Sequence, residues 1–219
     1  MQFSNTLANA IKYLVHKHSK LDVASLDITY ADSNSKINYY VDSQTSIINL
    51  MRSFLSYTSH VYDRQTNTLA DIIRLYNEKP VTQYFTENEV IKDSFSMSLP
   101  KAVKIFKTDY ITKVINSDNT LEDKEQTVKV ETGLIVGEEE NITPYNYIKS
   151  EITYELNKKK TLHNDYANAE FELWDSHEVS ILEIINVSTQ GFNYKMLVTE
   201  LSRNPNENSL IVKGLVCLL

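Results

Sequence analysis

The first 56 residues carry hydrophobic side chains at helical spacing, then at strand spacing, then at helical spacing again. A helix within residues 1–19 is predicted by one apolar face, formed by Phe3, Leu7, Ile11, Leu14 and Val15. Residues 26–30 and 37–41 alternate apolar and polar side chains around a polar turn, which predicts two paired strands. A second helix is predicted over residues 43–55.

Residues 57–107 carry a strand pattern, two helical patterns and a closing strand pattern. The first helix is predicted over residues 68–77 from one apolar face, formed by Leu69, Ile72, Ile73 and Tyr76. Thr68 can cap this helix, and Pro80 prevents its continuation. A second short helix is predicted over residues 81–88. The predicted order is therefore strand, helix, helix, strand.

Residues 108–219 change to a period of two, which is typical of strands with one buried face and one wet face. Residues 116–126 are polar and have no period, so they predict a linker or a long loop. Strands are predicted in residues 128–136, 148–156, 169–173, 179–187 and 194–201. The almost wholly apolar residues 210–219 predict a central strand, or one completed by a neighbouring subunit.

Together these patterns predict an α+β protein in three segments. Residues 1–56 form an N-terminal helix–hairpin–helix docking segment. Residues 57–107 form a small strand–helix–helix–strand module, and residues 108–219 form a β-rich C-terminal interaction domain.

Composition and charge exclude several classes of function. The 219 residues carry a net charge of −7, which argues against nucleic-acid binding and against attraction to anionic lipid. No stretch approaches the roughly twenty apolar residues of a membrane span.

The single cysteine, Cys217, rules out an internal disulfide framework. Four glycines in no phosphate-binding motif argue against nucleotide chemistry. The 14 tyrosines suit either protein interfaces or the filling of strands.

Two pairs of side chains could converge on a metal ion if each lay on a strand. These are His163 with Asp165 and Asp175 with His177. Both pairs stand where strand patterns begin or end, and polar residues are expected there in any protein. We therefore predict no metal, no cofactor and no enzyme activity.

Two runs of charge have a simple interpretation and an alternative. Residues 138–140 are three glutamates, which predict a solvated loop or, alternatively, a loop that docks a basic partner. Residues 158–160 are three lysines, which predict a turn between strands or, alternatively, a contact with DNA.

An ordered set of residues runs through the middle segment. It consists of Tyr62, Asp63 and Arg64, then residues 68–73, 75–77 and 88–91, then Asp93, Phe95 and residues 99–106. This set resembles a LysM domain, and more closely the LysM-like module of phage baseplate wedge proteins. The sequence departs from the family at three places. Thr66 and Asn67 stand where many LysM domains have Gly-Asp, Lys101 replaces the closing glycine, and Phe106 replaces the closing proline.

The resemblance implies a non-enzymatic structural subunit of a bacteriophage tail or baseplate. It implies hetero- and homo-oligomeric contacts with other tail subunits, and a place in the virion after assembly in the host cytoplasm. The alternative is a module that binds peptidoglycan or chitin-like glycans. The glycan-facing or partner-facing positions would then be Thr66, Asn67, Thr68, Ser96, Met97 and Ser98.

Overall fold

The computed structural model describes residues 2–18, 25–40, 45–174, 176–204 and 208–218. Over these residues the protein is strand-rich and has four helices, which confirms the predicted α+β class.

The chain forms two compact units, and each is built from two separate stretches. Unit 1 comprises Met1–Ile72 and Ala102–Thr161. Unit 2 comprises Ile73–Lys101 and Leu162–Leu219. The sequence predicted boundaries near residues 56 and 107 between segments that fold and dock separately. The division into two compact units does not test whether those segments fold separately, so the three predicted segments stay a prediction.

Unit 1 begins with a strand rather than a helix. Strand β1 (Gln2–Thr6) pairs antiparallel with β2 (Lys36–Tyr40), and helix α1 (Leu7–His18) lies between them in sequence. The predicted hairpin of residues 26–30 and 37–41 is therefore wrong, because β1 offers β2 a five-residue partner. Asp27 instead forms a single bridge to Thr68.

The two predicted N-terminal helices are confirmed with shifted bounds. Helix α1 buries Leu7, Ile11 and Leu14, and helix α2 (Ile47–Thr58) buries Leu50, Phe54 and Tyr57. These side chains and Ile37 of β2 belong to one apolar core. Their burial is the main source of stability for this part of unit 1.

The predicted helix over residues 68–77 is half strand. Strands β3 (His60–Asp63) and β4 (Thr68–Asp71) form a hairpin, and helix α3 (Ile72–Glu78) begins only after it. Thr68 is thus a strand residue and not a helix cap. Pairing on both sides of β4, by β3 and by Asp27, outweighs the local helical pattern.

A long hairpin completes the sheet structure of unit 1. Strand β7 (Val103–Ile115) pairs antiparallel with β8 (Leu121–Glu131) and parallel with the edge strand β9 (Glu138–Asn141). The linker predicted over residues 116–126 is wrong, because residues 121–126 pair with β7. Asn119 adopts a φ of 61° in the turn between the strands, a backbone conformation that asparagine tolerates.

The strand predicted over residues 148–156 is also wrong. Helix α4 (Lys149–Asp165) occupies this stretch, and Ile152 and Leu156 are fully buried. Ile148, Ile152 and Leu156 are spaced by four, which fits a helix as well as an alternating strand. The lysines at 158–160 therefore lie on a helix and not in a turn.

Unit 2 is organised by one six-stranded sheet. Its strands are β5 (Gln83–Phe85), β6 (Ser96–Ser98), β10 (Tyr166–Trp174), β11 (Ile184–Thr189), β12 (Phe192–Asn204) and β13 (Ser209–Cys217). The order is β5-β11-β12-β13-β10-β6, and only β5 with β11 is parallel. Strand β13 is a central strand of this sheet, which is one of the two alternatives predicted for the apolar residues 210–219. The helix predicted over residues 81–88 is absent, because β5 pairs with β11 there.

The elements between residues 57 and 107 are thus strand, strand, helix, strand, strand and the start of β7. The strand–helix–helix–strand layout of a LysM-like module is not confirmed. Residues 57–72 and 102–107 belong to unit 1, and residues 73–101 belong to unit 2.

Gly214 allows the two central strands of unit 2 to approach closely. A Cβ atom there would lie 2.7 Å from Met196 Cε and closer still to the Leu197 carbonyl oxygen. The register of β12 against β13 shifts between Val198 and Glu200, next to this glycine. A glycine within a strand often marks such a bulge or close backbone approach.

We expect Gly214→Ala to lower the free energy of unfolding by about 1–3 kcal/mol, because the added methyl group overpacks a backbone contact. Urea denaturation measures the change. The matched control is Lys213→Ala on the same strand, whose ammonium makes a 3.4 Å ion pair with Glu170 at a half-exposed position. This control should change stability by no more than about 0.5 kcal/mol. Equal effects of the two substitutions would contradict the close approach.

Candidate interaction surfaces and a buried charge cluster

The first predicted binding loop is held by its own side chains. Asn67 lies in the β3–β4 turn with a φ of 52° and is only 7% exposed. Its Oδ1 accepts a hydrogen bond from the Tyr62 hydroxyl at 2.9 Å, and its Nδ2 donates to Ser25 Oγ at 2.9 Å. The Thr66 hydroxyl donates to Asp63 Oδ2 at 2.6 Å. The polar groups of this loop therefore serve the turn itself.

The second predicted binding loop is an edge strand. Ser96, Met97 and Ser98 form β6, which pairs with Asn168–Glu170 of β10, and all three residues are exposed. A shallow cavity of about 240 Å³ lies beside them and is also lined by Glu170, Glu200 and Lys213. Thr66, Asn67 and Thr68 belong to unit 1, and Ser96, Met97 and Ser98 belong to unit 2.

Unit 1 contains a buried cluster of charged side chains that the sequence reading missed. Its members are Lys158 and Glu155 of α4, Asp71 at the end of β4, His60 at the start of β3 and Asp32 in the polar turn before β2. Each of the five residues is less than 9% exposed. Ionisable side chains are rarely buried to this extent unless they are paired.

The Lys158 ammonium is the centre of this cluster. It donates to Asp32 Oδ2 at 3.2 Å and to the Thr58 carbonyl oxygen at 2.9 Å. It also contacts the Asp71 carboxylate directly and lies 3.8 Å from Glu155 Oε2. One cation thus contacts groups from α2, β4, α4 and the turn before β2.

His60 is held in its neutral form by the same network. Its Nδ1 lies 2.8 Å from the Thr58 carbonyl oxygen, and its Nε2 accepts a hydrogen bond from the Asp32 backbone N–H at 3.1 Å. Only the neutral tautomer with the proton on Nδ1 satisfies both contacts. Burial lowers the pKa of His60 to about 4, and the nearby Lys158 ammonium acts in the same direction.

The two carboxyl groups on either side of Lys158 shift in opposite directions. Burial alone raises the pKa of Asp32, but hydrogen bonds from Asn34 and Tyr154, together with the Lys158 charge, bring it below its ordinary value. Burial raises the pKa of Glu155 to about 7, although Lys158 opposes that rise. The cluster therefore combines an ionised carboxylate with a carboxyl group that titrates near neutrality.

This arrangement braces the fold rather than exposing reactive groups to a substrate. All five members are buried, and their contacts join stretches of unit 1 that are far apart in sequence. The prediction of a turn between strands at residues 158–160 was wrong for a specific reason. Glu155 and Lys158 are three residues apart on helix α4. Residues 148–156 also alternate apolar and polar side chains, and this alternation concealed the helical spacing.

The β7–β8 hairpin continues past the core of unit 1 as an arm, defined here as residues 111–125. The last buried side chain before it is Tyr110, and no residue of the arm is buried. Its exposed apolar residues include Ile111, Ile115 and Leu121, which are 58%, 68% and 65% exposed. These three side chains lie on one face, because Ile115 pairs with Leu121 and Ile111 is four residues from Ile115.

A second exposed apolar segment precedes β9. Ile135 and Val136 are 90% and 82% exposed, and Leu134 is 43% exposed. The glutamates at 138–140 then form the exposed edge strand β9, so the predicted solvated loop is a strand. Docking of a basic partner on these glutamates stays a prediction.

The proposed His/Asp pairs do not form a metal site in the described part of the chain. His163 and Asp165 lie at the end of α4, where the His163 ring nitrogens contact Asn164 Oδ1 and the Lys101 carbonyl oxygen. Asp175 lies outside the described residues. Elsewhere in the described residues, no group of three or more His, Cys, Asp or Glu side chains could hold a metal ion. None of the described helices is long and apolar enough to cross a membrane.

Comparison with solved structures shows the fold of the whole chain. Over 99% of its length, with a TM-score of 0.61 and 7% identity, the chain is similar to a protein in the virion of a native gene transfer agent particle. It is similar over 99% of its length, with a TM-score of 0.58 and 6% identity, to a tail protein from Neisseria meningitidis MC58. A third similar structure is the prophage tail protein gp18 from Listeria monocytogenes EGD-e, with a TM-score of 0.50 and 10% identity over the full chain.

The chain shares its fold with these three proteins. It spans 48% of the gene transfer agent protein, 68% of the Neisseria protein and 66% of the Listeria protein. No protein-family model matches the sequence, and no curated protein is similar to it. At 6–10% identity the likeness concerns backbone geometry and not individual side chains.

We expect Lys158→Met to lower the free energy of unfolding by about 3–5 kcal/mol, because it leaves buried carboxylates without their cation. Thermal and urea denaturation measure the loss. The matched control is Lys160→Met, two positions further along α4 and outside the cluster, which should change stability by less than about 0.5 kcal/mol. If Lys158→Met were as stable as the control, the cluster would not be the brace described here.

We expect Glu155→Gln to stabilise the protein more at pH 8 than at pH 5, by up to about 3 kcal/mol. The folded-state pKa of Glu155 is about 7 against an ordinary value of 4.5, so the folded state binds the proton more tightly. The stabilising effect of that proton is complete below pH 4.5 and is lost as the pH rises through 7. Glutamine stays neutral at both values of pH.

Urea denaturation of both proteins at pH 5 and pH 8 gives the difference. The pKa of His60, about 4, makes stability rise with pH between 4 and 6.5, but His60 titrates in both proteins and cancels in the comparison. The matched control is Glu125→Gln, which makes the same chemical change at an exposed position of the arm. A pH-independent effect of Glu155→Gln would contradict the raised pKa.

Proposed function

We propose that this protein is a structural subunit of a phage tail, or of a related particle, and that it acts through protein–protein contacts. The observation that carries the proposal is the likeness of the whole chain, with both of its units, to three tail or particle proteins. A likeness confined to one small unit would be compatible with many functions.

The surface of the chain supports this proposal. The arm and the segment around Ile135 expose apolar side chains that a monomer in water gains nothing by exposing. The charged side chains of the Lys158 cluster, by contrast, are buried inside unit 1, where they hold its segments together. Buried charge and exposed apolar projections suit a protein that is held rigid and makes contacts with neighbours.

The finer proposal is a position in the baseplate or tail end of the virion, reached by assembly in the host cytoplasm. The partners are other tail subunits, in hetero- and homo-oligomeric contacts, without nucleic acid, membrane or catalysis. The baseplate wedge assignment came from the LysM-like resemblance. The strand and helix order of residues 57–107 does not support that resemblance, so the wedge position rests on the sequence pattern alone.

The test combines the purified chain with each of the tail proteins encoded beside it. We expect at least one pair to co-elute in size-exclusion chromatography, with a mass by light scattering equal to that of a stable complex. Antibodies against the chain should label the tail of purified particles in electron micrographs. A protein that stays a monomer, binds none of these proteins and is absent from particles is not a tail subunit.

Glycan binding is the alternative, and it uses Thr66, Asn67, Thr68, Ser96, Met97 and Ser98. Titration with N-acetylglucosamine oligomers at millimolar concentration separates the two functions. We expect a flat titration for a structural subunit, whereas saturable binding that Thr66→Ala and Ser98→Ala abolish would favour the glycan module.

A further inference from the structure

We propose that the arm, residues 111–125, docks into an apolar groove with a cationic rim on a different protein of the assembly. The inference rests on the proposed function and names the surface and the partner chemistry that serve it.

The arm is a two-stranded extension without a core of its own. Five residue pairs, from Ile111 with Glu125 to Ile115 with Leu121, continue the β7–β8 ladder past the last buried side chain. At about 3.4 Å per residue the paired part is about 17 Å long. An isolated two-stranded hairpin is only marginally stable in water, so a projection of this kind is completed by contacts elsewhere.

The interactions inside the arm are those of the surface. Lys113 and Asp123 form a 3.1 Å ion pair, and both side chains are more than 60% exposed. Asn116 donates to Glu122 Oε2 at 3.1 Å, and the Thr120 hydroxyl donates to Asp118 Oδ1 at 2.6 Å. These contacts shape the turn and set the register, but exposed ion pairs contribute little free energy. The arm is therefore preformed and lacks only a surface that covers its apolar face.

The apolar face carries both aliphatic and charged side chains. Ile115 and Leu121 pair near the turn, Ile111 is four residues before Ile115, and the Lys113–Asp123 pair lies between them on the same face. A surface that covers this face therefore has to accommodate branched aliphatic side chains and a central ion pair, and protein interfaces commonly combine apolar and polar groups.

The charge of the arm selects the partner. Two lysines and four acidic side chains give residues 111–125 a net charge of −2. Lys113 is already paired with Asp123. Glu125 lies opposite Ile111 on the apolar face, Glu122 and Lys124 lie on the other face of the hairpin, and Asp118 lies in the turn. The excess charge of the arm is therefore acidic on the apolar face and at the turn. A surface with lysine or arginine at its rim complements this charge and speeds association.

A second copy of this chain is a poor match for the arm. Its exposed apolar segment, residues 134–136, leads directly into three exposed glutamates at 138–140. Its polar cleft of about 440 Å³ is lined by Arg52 and Lys159, but Glu140 lines the same cleft. An acidic arm placed on either surface meets like charge, which is unfavourable at an interface. These two surfaces of a second copy therefore disfavour the arm, so the proposed occupant is a different protein, and self-association is an outcome that the experiment distinguishes.

The experiment uses the full chain and the purified tail proteins encoded beside it. The test variant is Ile111→Ser combined with Ile115→Ser and Leu121→Ser. The matched control is Ile135→Ser combined with Val136→Ser, which removes exposed apolar side chains outside the arm. Both variants should melt at the wild-type temperature, because all the substituted side chains are exposed. Affinity is measured by biolayer interferometry.

We expect the arm variant to lose affinity for its partner by about 30-fold or more, and the control to bind as the wild type does. Glu122→Lys combined with Glu125→Lys should slow association by about 10-fold and weaken its dependence on salt. On complex formation, the backbone amides of the arm should become protected from hydrogen exchange.

The outcomes separate the two proposals. If the wild type forms its complex and the arm variant binds equally well, the docking role of the arm is overturned and the tail function stands. If the arm variant disrupts only self-association, the occupant is a second copy and the inference is overturned. If the wild type binds none of the tail proteins, the proposed function fails and the inference fails with it.

Discussion

The arrangement of unit 1 depends on the contacts of the buried Lys158 ammonium. The ammonium lies among groups from α2, β4, α4 and the turn before β2, and Lys158 and its partner Asp32 are 126 residues apart in the chain. A buried ion pair is not by itself a source of stability, because desolvation of the charges offsets their attraction. It does specify geometry, because a displaced segment leaves a charge unpaired in a dry interior. The apolar cores of unit 1 supply stability, and the cluster fixes which segments meet.

Such contacts between distant segments explain which parts of the structure could be predicted from the sequence. Local periodicity suffices for α1 and α2, whose buried faces follow from the spacing of side chains such as Leu7, Ile11 and Phe54. It also suffices for β10, where the period of two and the burial agree. Strand β13 was predicted from its apolar run, and β12 buries three consecutive side chains, Met196, Leu197 and Val198. It fails where a distant strand competes with a local preference. Thr68–Asp71 has a helical pattern but pairs with β3, and the polar residues 121–126 pair with β7.

The candidate surfaces could be predicted from the sequence only in part. The loops with Asn67 and Met97 were selected by family resemblance, and the structure gives the first a turn-stabilising role and makes the second an edge strand. The arm was hidden because its polar residues are typical of a linker. Lys158 was hidden because three consecutive lysines are usually solvated, and only tertiary contacts select one of them for burial. Neither signal is present in a single sequence without the pairing of its strands.

The path of the chain through the two units has a consequence for biosynthesis. The chain leaves unit 1 after Ile72, returns at Ala102 and leaves again after Thr161. A nascent chain that has reached only residue 150 has made Asp32 and Asp71 but not Lys158, which pairs with both carboxylates. In unit 2 the central strand β13 is made after both of its neighbours, β10 and β12. Until then their inner edges are unpaired and open to other chains. Slow translation through the last third of the message therefore prolongs exposure to aggregation, and a chaperone that covers strand edges shortens it.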